Sequence, residues 1–275
     1  MASALDLTIV IPAKNEEKNL PGCLKAIGND FAQKIVIIDS NSTDNTYNIG
    51  IENGAEVIQF NWDGKFPKKR NWYLRNHTPE TTWVFFLDAD EYLTDTFKDE
   101  LRNALAKNDK QGYWLSYSIY FLGKQLKGGY PLRKLALFKV GAGEYERIDE
   151  EKWSKLDMEV HEHPVLNGDI GTIKSKIDHQ DFRGVAHYVE KHNDYSSWEA
   201  GRFLKTFSNP ELSKSWTWKQ KIKYKLIRTP FIGPFFFFGS FFLMGGFRDG
   251  ARGFAFAILK MAYFTEVYCK IKEKA

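Results

Sequence analysis

Three five-residue runs near the start of the chain are almost wholly apolar. They are Leu-Thr-Ile-Val-Ile at 7–11, Lys-Ile-Val-Ile-Ile at 34–38 and Trp-Val-Phe-Phe-Leu at 83–87, and they stop at Pro12, Asp39 and Asp88. A strand with apolar residues on both faces has to be covered on both faces, which is the condition of a parallel strand inside a layered sheet. Residues 56–60 read as a further strand. Between the strands lie helical patterns. Leu20, Leu24 and Ile27 share one face of the first, with Asn15, Glu16 and Glu17 expected at its start, and Ser42, Thr43 and Asp44 offer caps for a second that runs to about Glu52. Strands separated by helices predict an α/β, doubly wound, mostly parallel sheet. Ligands of such sheets bind at the carboxyl ends of the strands. Asp39 and Asp88 are each the first polar residue past such an end.

From about residue 112 to 182 the pattern changes. Residues 112–122 and 132–140 are β-rich, a polar loop-like stretch follows around 145–163, and 185–204 reads as a polar helix. The expected organisation is a catalytic domain over 1–190, divided into halves at 1–110 and 111–190, and a helical region over 191–275. Hydrophobic residues make up 43% of the 275, enough for a real core, so disordered and fibrous classes are excluded. Cys23 and Cys269 stand at opposite ends of the chain and support neither a disulfide framework nor a cysteine zinc site. Cys23 reads as a core residue on the Leu20–Ile27 face. No basic segment followed by an apolar one opens the chain, so no secretory signal is expected and a reducing compartment fits.

The net charge of +4 conceals an asymmetry. From Lys214 onward there are 12 Lys and Arg against 3 Asp and Glu, a balance of +9, which leaves −5 for the rest. Residues 214–228 carry six basic and no acidic side chains, interleaved with Trp216, Trp218 and Tyr224. The next 19 residues, 229–247, hold no charge before Arg248 and include eight Phe. Basic residues with aromatics would suit nucleic acid, but an uncharged Phe-rich stretch suits lipid: cations at the headgroups, Trp and Tyr at the interface, Phe below it. A membrane contact over 214–269 is therefore expected, with no nucleic-acid partner. The length of the Phe-rich stretch reaches that of a span, yet its six Gly and Pro residues favour a monotopic or re-entrant form. The alternative is that these Phe side chains form core or a dimer interface.

Chemistry is concentrated at Asp88-Ala89-Asp90-Glu91. Two carboxylates one residue apart on a turn can serve one divalent cation, with oxygen donors suited to Mg²⁺ or Mn²⁺. No Gly-rich phosphate loop is present, so nucleotide hydrolysis and nicotinamide chemistry are unsupported.

Four segments in order, IVIPAKNEEKNL (9–20), IVIIDSNSTDNT (35–46), KKRNWYL (68–74) and FFLDADE (85–91), resemble the inverting family-2 glycosyltransferases of GT-A fold. With His161-Glu162 and Gly-Phe-Arg-Asp-Gly at 246–250, the pattern is similar to bacterial lipopolysaccharide-core β-1,4-glucosyltransferases. The resemblance implies a UDP-sugar donor, Mn²⁺ or Mg²⁺, and transfer of a hexose, glucose first among them, to a lipid-linked or lipopolysaccharide-core glycan at the cytoplasmic face of the inner membrane. Transfer to an undecaprenyl-linked capsule or exopolysaccharide intermediate is the alternative within enzymes; a non-catalytic nucleotide-sugar-binding scaffold is the alternative outside them. By the same resemblance Pro12, Ala13, Asn15 and Glu16 line the base pocket and Asp39 accepts from the uracil imide. Arg70 and Asn71 lie near the nucleotide-sugar. Asp88, Ala89 and Asp90 meet ribose and metal, with His179 as a third metal ligand. The base that deprotonates the acceptor is sought among Asp157, Glu159 and Glu162, with Glu162 preferred and His161 orienting it or binding diphosphate. Arg133 and His163 are candidates for acceptor or phosphate. The neighbouring Lys65, Lys68 and Lys69 read as a solvated face.

Overall fold

The computed structural model describes residues 3–129, 131–147, 156–159, 162–208 and 218–274. They fall into two compact units, one within 1–120, 132–149 and 156–182, the other within 121–131 and 183–275.

In chain order the elements up to residue 179 are β1 (Leu5–Ala13), α1 (Leu20–Ile27), β2 (Ala32–Asp39), α2 (Thr46–Glu52), β3 (Glu56–Gln59), α3 (Lys69–Asn76), β4 (Trp83–Phe86), β5 (Glu91–Tyr92), α4 (Asp95–Lys107), β6 (Gly112–Phe121), β7 (Lys124–Gln125), β8 (Arg133–Lys139), β9 (Gly143–Tyr145), β10 (Pro164–Leu166) and β11 (Ile170–His179). The sheet runs β3-β2-β1-β4-β8-β6-β11-β5. Its first four strands are parallel, as their apolar runs require. β8 then enters antiparallel to both β4 and β6, β11 is parallel to β6, and β5 closes the edge antiparallel to β11. The result is the mixed, mostly parallel sheet of a GT-A fold.

Register explains why the polar strand ends converge. Val10 pairs with Val36 on one side and Phe86 on the other, and Ala13 pairs with Asp39. Asp88, two residues past Phe86, thus comes level with Pro12, one residue short of Asp39. The last seven residues of β1 are all buried, so the edge they define is held by two core clusters, one on each face of the sheet. At roughly 1.5–3 kcal/mol for each large apolar side chain taken out of water, this is what fixes the sheet. α1 buries Leu20, Cys23, Leu24 and Ile27, the face read from the sequence. α4 starts at Thr94, whose hydroxyl accepts from the Phe97 amide, and ends at Asn108 in the left-handed region.

One local expectation fails. α1 begins at Leu20, with no acidic residue in its first turn. Asn15, Glu16 and Glu17 sit in the preceding loop and are used to tie it to the loop after β2.

The second unit is helical: α5 (Val185–Ser208), α6 (Trp218–Leu226), α7 (Ile232–Phe238), a π turn over 239–243, a 3-10 turn over 246–249 and α8 (Gly250–Lys274). Its core includes Phe203, Tyr224, Ile227, Ile232, Phe264, Val267 and Ile271. Lys223 is ion-paired to the buried Glu199 at 2.6 Å. Asp249 accepts from the backbone amides of Lys127 and Gly128 at 2.9–3.0 Å. Among the described residues no helix is long and apolar enough to cross a membrane.

Candidate active site

The loops after β1 and β2 are knitted by short polar side chains. Asn15, at a φ of 56°, accepts from the Thr43 amide at 2.8 Å and donates its own amide to Ser42 Oγ at 2.8 Å. The Glu16 amide donates to Thr46 Oγ1, and the Glu17 amide to Asp44. Asp39 is buried. Its carboxylate accepts from the Ser42 amide and hydroxyl and from Gln59 Nε2 at 3.0 Å. Pro12, Ala13, Asn15, Glu16 and Asp39, expected to surround a base, are therefore brought to one rim of the sheet.

Across that rim stands the turn at 88–91. Arg70 donates to Asp88 Oδ1 at 2.8 Å, and Lys134 on β8 donates to Asp88 Oδ2 at 2.5 Å. The same ammonium reaches Glu91 Oε1 at 2.5 Å, and the Asp88 amide donates to Glu91 Oε2 at 3.2 Å. Burial pushes the Glu91 carboxyl up to about 7, against the pull of Lys134. Burial alone would lower the Lys134 ammonium, but Asp88 and Glu91 outweigh it and hold it well above its usual value. The Tyr117 ring lies 5.2 Å from that ammonium. Asp90 is buried, its Oδ1 lies 3.5 Å from His179 Nε2, and its carbonyl accepts from Gln180. His179 arrives there because β11 pairs with β5 at Glu91.

Of the three lysines expected to face solvent, Lys65 does and Lys68 and Lys69 do not. Lys68 and Lys69 are 4% and 1% exposed. Each has a carboxylate from the 157–162 stretch: Lys68 Nζ lies 3.3 Å from Glu162 Oε1, and Lys69 Nζ 3.3 Å from Asp157 Oδ2. Buried ammonium groups persist only when so paired. Lys69 also donates to the Ala13 carbonyl at 3.3 Å, and Asp157 accepts from Ser40 Oγ at 2.5 Å. Burial still lowers Lys69, the carboxylate compensating only in part.

Glu159 has a different task. Its two oxygens accept from the backbone amides of Arg70 and Asn71 at 3.0 and 3.2 Å, and its carbonyl accepts from the Arg70 guanidinium. It caps the first turn of α3, satisfying amides that have no partner within the helix. Burial raises its carboxyl, with Arg70 opposing. Asn71 exchanges two 2.9 Å bonds with the backbone of Tyr145. Arg133 is exposed, bonds Thr172 Oγ1 at 3.3 Å and lies over Trp114, and His163 meets the same indole edge-on. His161 lies outside the described residues.

Lys134, Ser40 and Tyr117 went unnoticed in the sequence. Nothing local marks Lys134, which is 46 residues from Asp88.

A divalent cation fits the donors in one way. Both Asp88 oxygens already receive a cation's hydrogen bond, while Asp90 and His179 offer a carboxylate and an imidazole side by side. Among the described residues no three His, Cys, Asp or Glu side chains form a ready cage. Two protein donors suit a cation that takes its other ligands from diphosphate and water.

The sequence profile described as glycosyl transferase family 2 matches residues 8–157, more than half the chain, with the Asn15–Asp39 rim and the 88–91 turn inside it and Glu159, Glu162 and His179 beyond it. The chain belongs to glycosyl transferase family 2. Among relatives, the lipopolysaccharide core biosynthesis glycosyltransferase LpsC of Rhizobium meliloti is 28% identical over 100% of this chain and 94% of its own. An uncharacterized glycosyltransferase of Rickettsia typhi is 27% identical over 96% of this chain and 88% of its own. Among solved structures, Staphylococcus aureus TarS (1–349) aligns over 98% of this chain and 92% of that one, at 13% identity and a TM-score of 0.45. Glucosyl-3-phosphoglycerate synthase of Mycobacterium tuberculosis, solved with Mn²⁺, UDP and glucosyl-3-phosphoglycerate, aligns over 42% of this chain and 44% of its own, at 22% identity and a TM-score of 0.32. The match thus spans less than half the length of that synthase.

Proposed function

We propose that this family-2 enzyme moves a hexose, glucose first among candidates, from a UDP-sugar to a lipid-linked glycan of the lipopolysaccharide-core class, with inversion. The observation that carries the reading is the placement of Asp90 beside His179 at the strand ends, opposite the Asn15–Asp39 rim. Asp90 and His179 would hold Mn²⁺ or Mg²⁺, which when bound neutralises charge on the departing diphosphate. Arg70 and Lys134 hold Asp88 in place beside them by hydrogen bonds, and Asp88 is assigned to the ribose. Asp39 is assigned to the uracil N3–H, the Ser42 hydroxyl giving up its bond as the base enters. Glu162 is assigned the base role, since Glu159 is committed to capping α3. Lys68 holds the Glu162 carboxylate in place to accept the acceptor's proton.

The acceptor class is supported by what the LpsC relative is named for, and the compartment we propose, the cytoplasmic face of the inner membrane, by two free cysteines. The test is a panel of nucleotide-sugars with purified protein and Mn²⁺, reading nucleotide release. UDP-hexoses should be consumed. Turnover of another nucleotide's sugars with none from UDP donors would overturn the donor assignment.

A further inference from the structure

Within the helical unit, the Phe-rich stretch is divided sharply. Phe236 stacks on Phe264 at 3.5 Å between centroids and joins the core. The others turn away from it. Phe237, Phe238, Phe241, Phe242 and Phe254 form one aromatic cluster, each ring within 6.4 Å of another. Of these Phe238, Phe242 and Phe254 are exposed, and so are Phe231, Phe235 and Phe247, with Leu243 at 87%. Isolated exposed apolar residues are ordinary, but a contiguous aromatic patch marks a contact surface.

Charge says what kind of surface. From Leu212 to Arg248 the chain carries seven Lys or Arg and no Asp or Glu. Lys221, Lys225, Arg228 and Arg248 are exposed on either side of the Phe stretch. The next acid, Asp249, is turned inward onto the Lys127 and Gly128 amides. A second copy of the same patch would offer these cations no acid, since a two-fold interface pairs the patch with itself. An anionic lipid surface meets both halves, headgroups with the cations and acyl chains with the Phe rings.

We infer that the segment 221–254 is a face that lies on an anionic bilayer, its exposed Phe rings and Leu243 inserted below the headgroups. No described helix can span a membrane, so the face rests in one leaflet. The Phe-rich stretch, for which a monotopic or re-entrant form was expected, is a short helix, a π turn and a 3-10 turn. The inference goes beyond the proposed sugar transfer and does not depend on it.

The test is co-sedimentation of the full chain with phosphatidylcholine vesicles, with and without phosphatidylglycerol, at low and high salt. The wild type should bind the anionic vesicles, weaken with salt because exposed charges are screened, and remain partly bound because apolar insertion is not. The triple variant Phe238→Ser, Phe242→Ser, Leu243→Ser should bind about tenfold or more weakly, most clearly at high salt. Lys221→Glu with Lys225→Glu should lose the low-salt preference for phosphatidylglycerol. Circular-dichroism melts like that of the wild type should show that the helical unit of each variant is folded, and UDP affinity, measured in parallel and the same in every variant, keeps this test separate from the donor assignment. Wild type that stays in the supernatant with both vesicles, or that binds both equally, overturns the inference. So does a sedimentation-velocity dimer that the triple variant dissolves, because the face then belongs to a second copy.

Discussion

Lys134 Nζ lies 2.5 Å from both Asp88 Oδ2 and Glu91 Oε1, so one ammonium closes the turn that carries Asp90. Lys134 and Asp88 are 27% and 23% exposed, but Glu91 is buried, so removing the ammonium leaves a buried carboxyl without its partner. Lys134→Met should therefore destabilise the protein by roughly 1–3 kcal/mol. Lys134→Arg should recover part of that, because it keeps the charge. Chemical denaturation of the three proteins reads the difference. A Met variant as stable as wild type would show that the turn holds itself.

Glu159 and Glu162 are three residues apart but differ in what they touch. Glu159→Gln removes a charge-assisted cap from α3 and should cost about 1–2 kcal/mol of stability, with transfer reduced only as far as Arg70 shifts. Glu162→Gln should bind UDP normally and transfer poorly, since a lost base affects the chemical step. Single-turnover kinetics and UDP calorimetry on both variants separate them. Dead Glu159→Gln with active Glu162→Gln would exchange the assignments.

Asp157 gives the fold an acid-side dependence. Burial alone would raise its carboxyl, but Lys69 and the Ser40 hydroxyl together hold it below the usual 3.8. The unfolded chain then takes up the proton more readily than the folded one. The stabilisation is present above about pH 3.8 and is lost as pH falls through the lower folded value. Asp157→Asn should be less stable than wild type near neutrality, and the gap should narrow in acid. Thermal melts of the pair across that range check this; a constant gap would contradict it.

Gly246 and Gly253 are set by close backbone approach. A Cβ on Gly253 would stand 2.0 Å from the Gly246 carbonyl oxygen and 2.9 Å from Asp249 Cβ. Gly253→Ala should destabilise the helical unit by about 1–3 kcal/mol while leaving UDP affinity unchanged. A neutral melt would mean that α8 can shift away from the turn.

Much of the first half was legible because its determinants are local. The apolar runs at 7–11, 34–38 and 83–87 could be covered only within a layered sheet, and a carboxylate just past such a run has to lie at a strand end. In the second half the strands at 112–122 and 132–140 and the helix at 185–204 were legible, but the strand pairing was not. β8 enters between β4 and β6 through pairings that no local pattern announces, and with it comes Lys134. The burial of Lys68 and Lys69 was missed for the same reason. Their composition is that of a surface, and only the distant partners Glu162 and Asp157 make burial affordable. Asn15 and Glu17 looked like helix caps because they precede an apolar periodicity; in the fold they serve a neighbouring loop 28 residues away.

The central claim is that Asp90 and His179 hold a divalent cation against a uridine diphosphate. Calorimetric titration of UDP into wild type and Asp90→Asn, with Mn²⁺ and with excess chelator, tests it most directly. Wild type should bind UDP at least about tenfold more tightly with Mn²⁺, and Asp90→Asn should bind with the same weaker affinity in both conditions. UDP affinity in wild type that is unchanged by Mn²⁺ and by chelator would contradict the account.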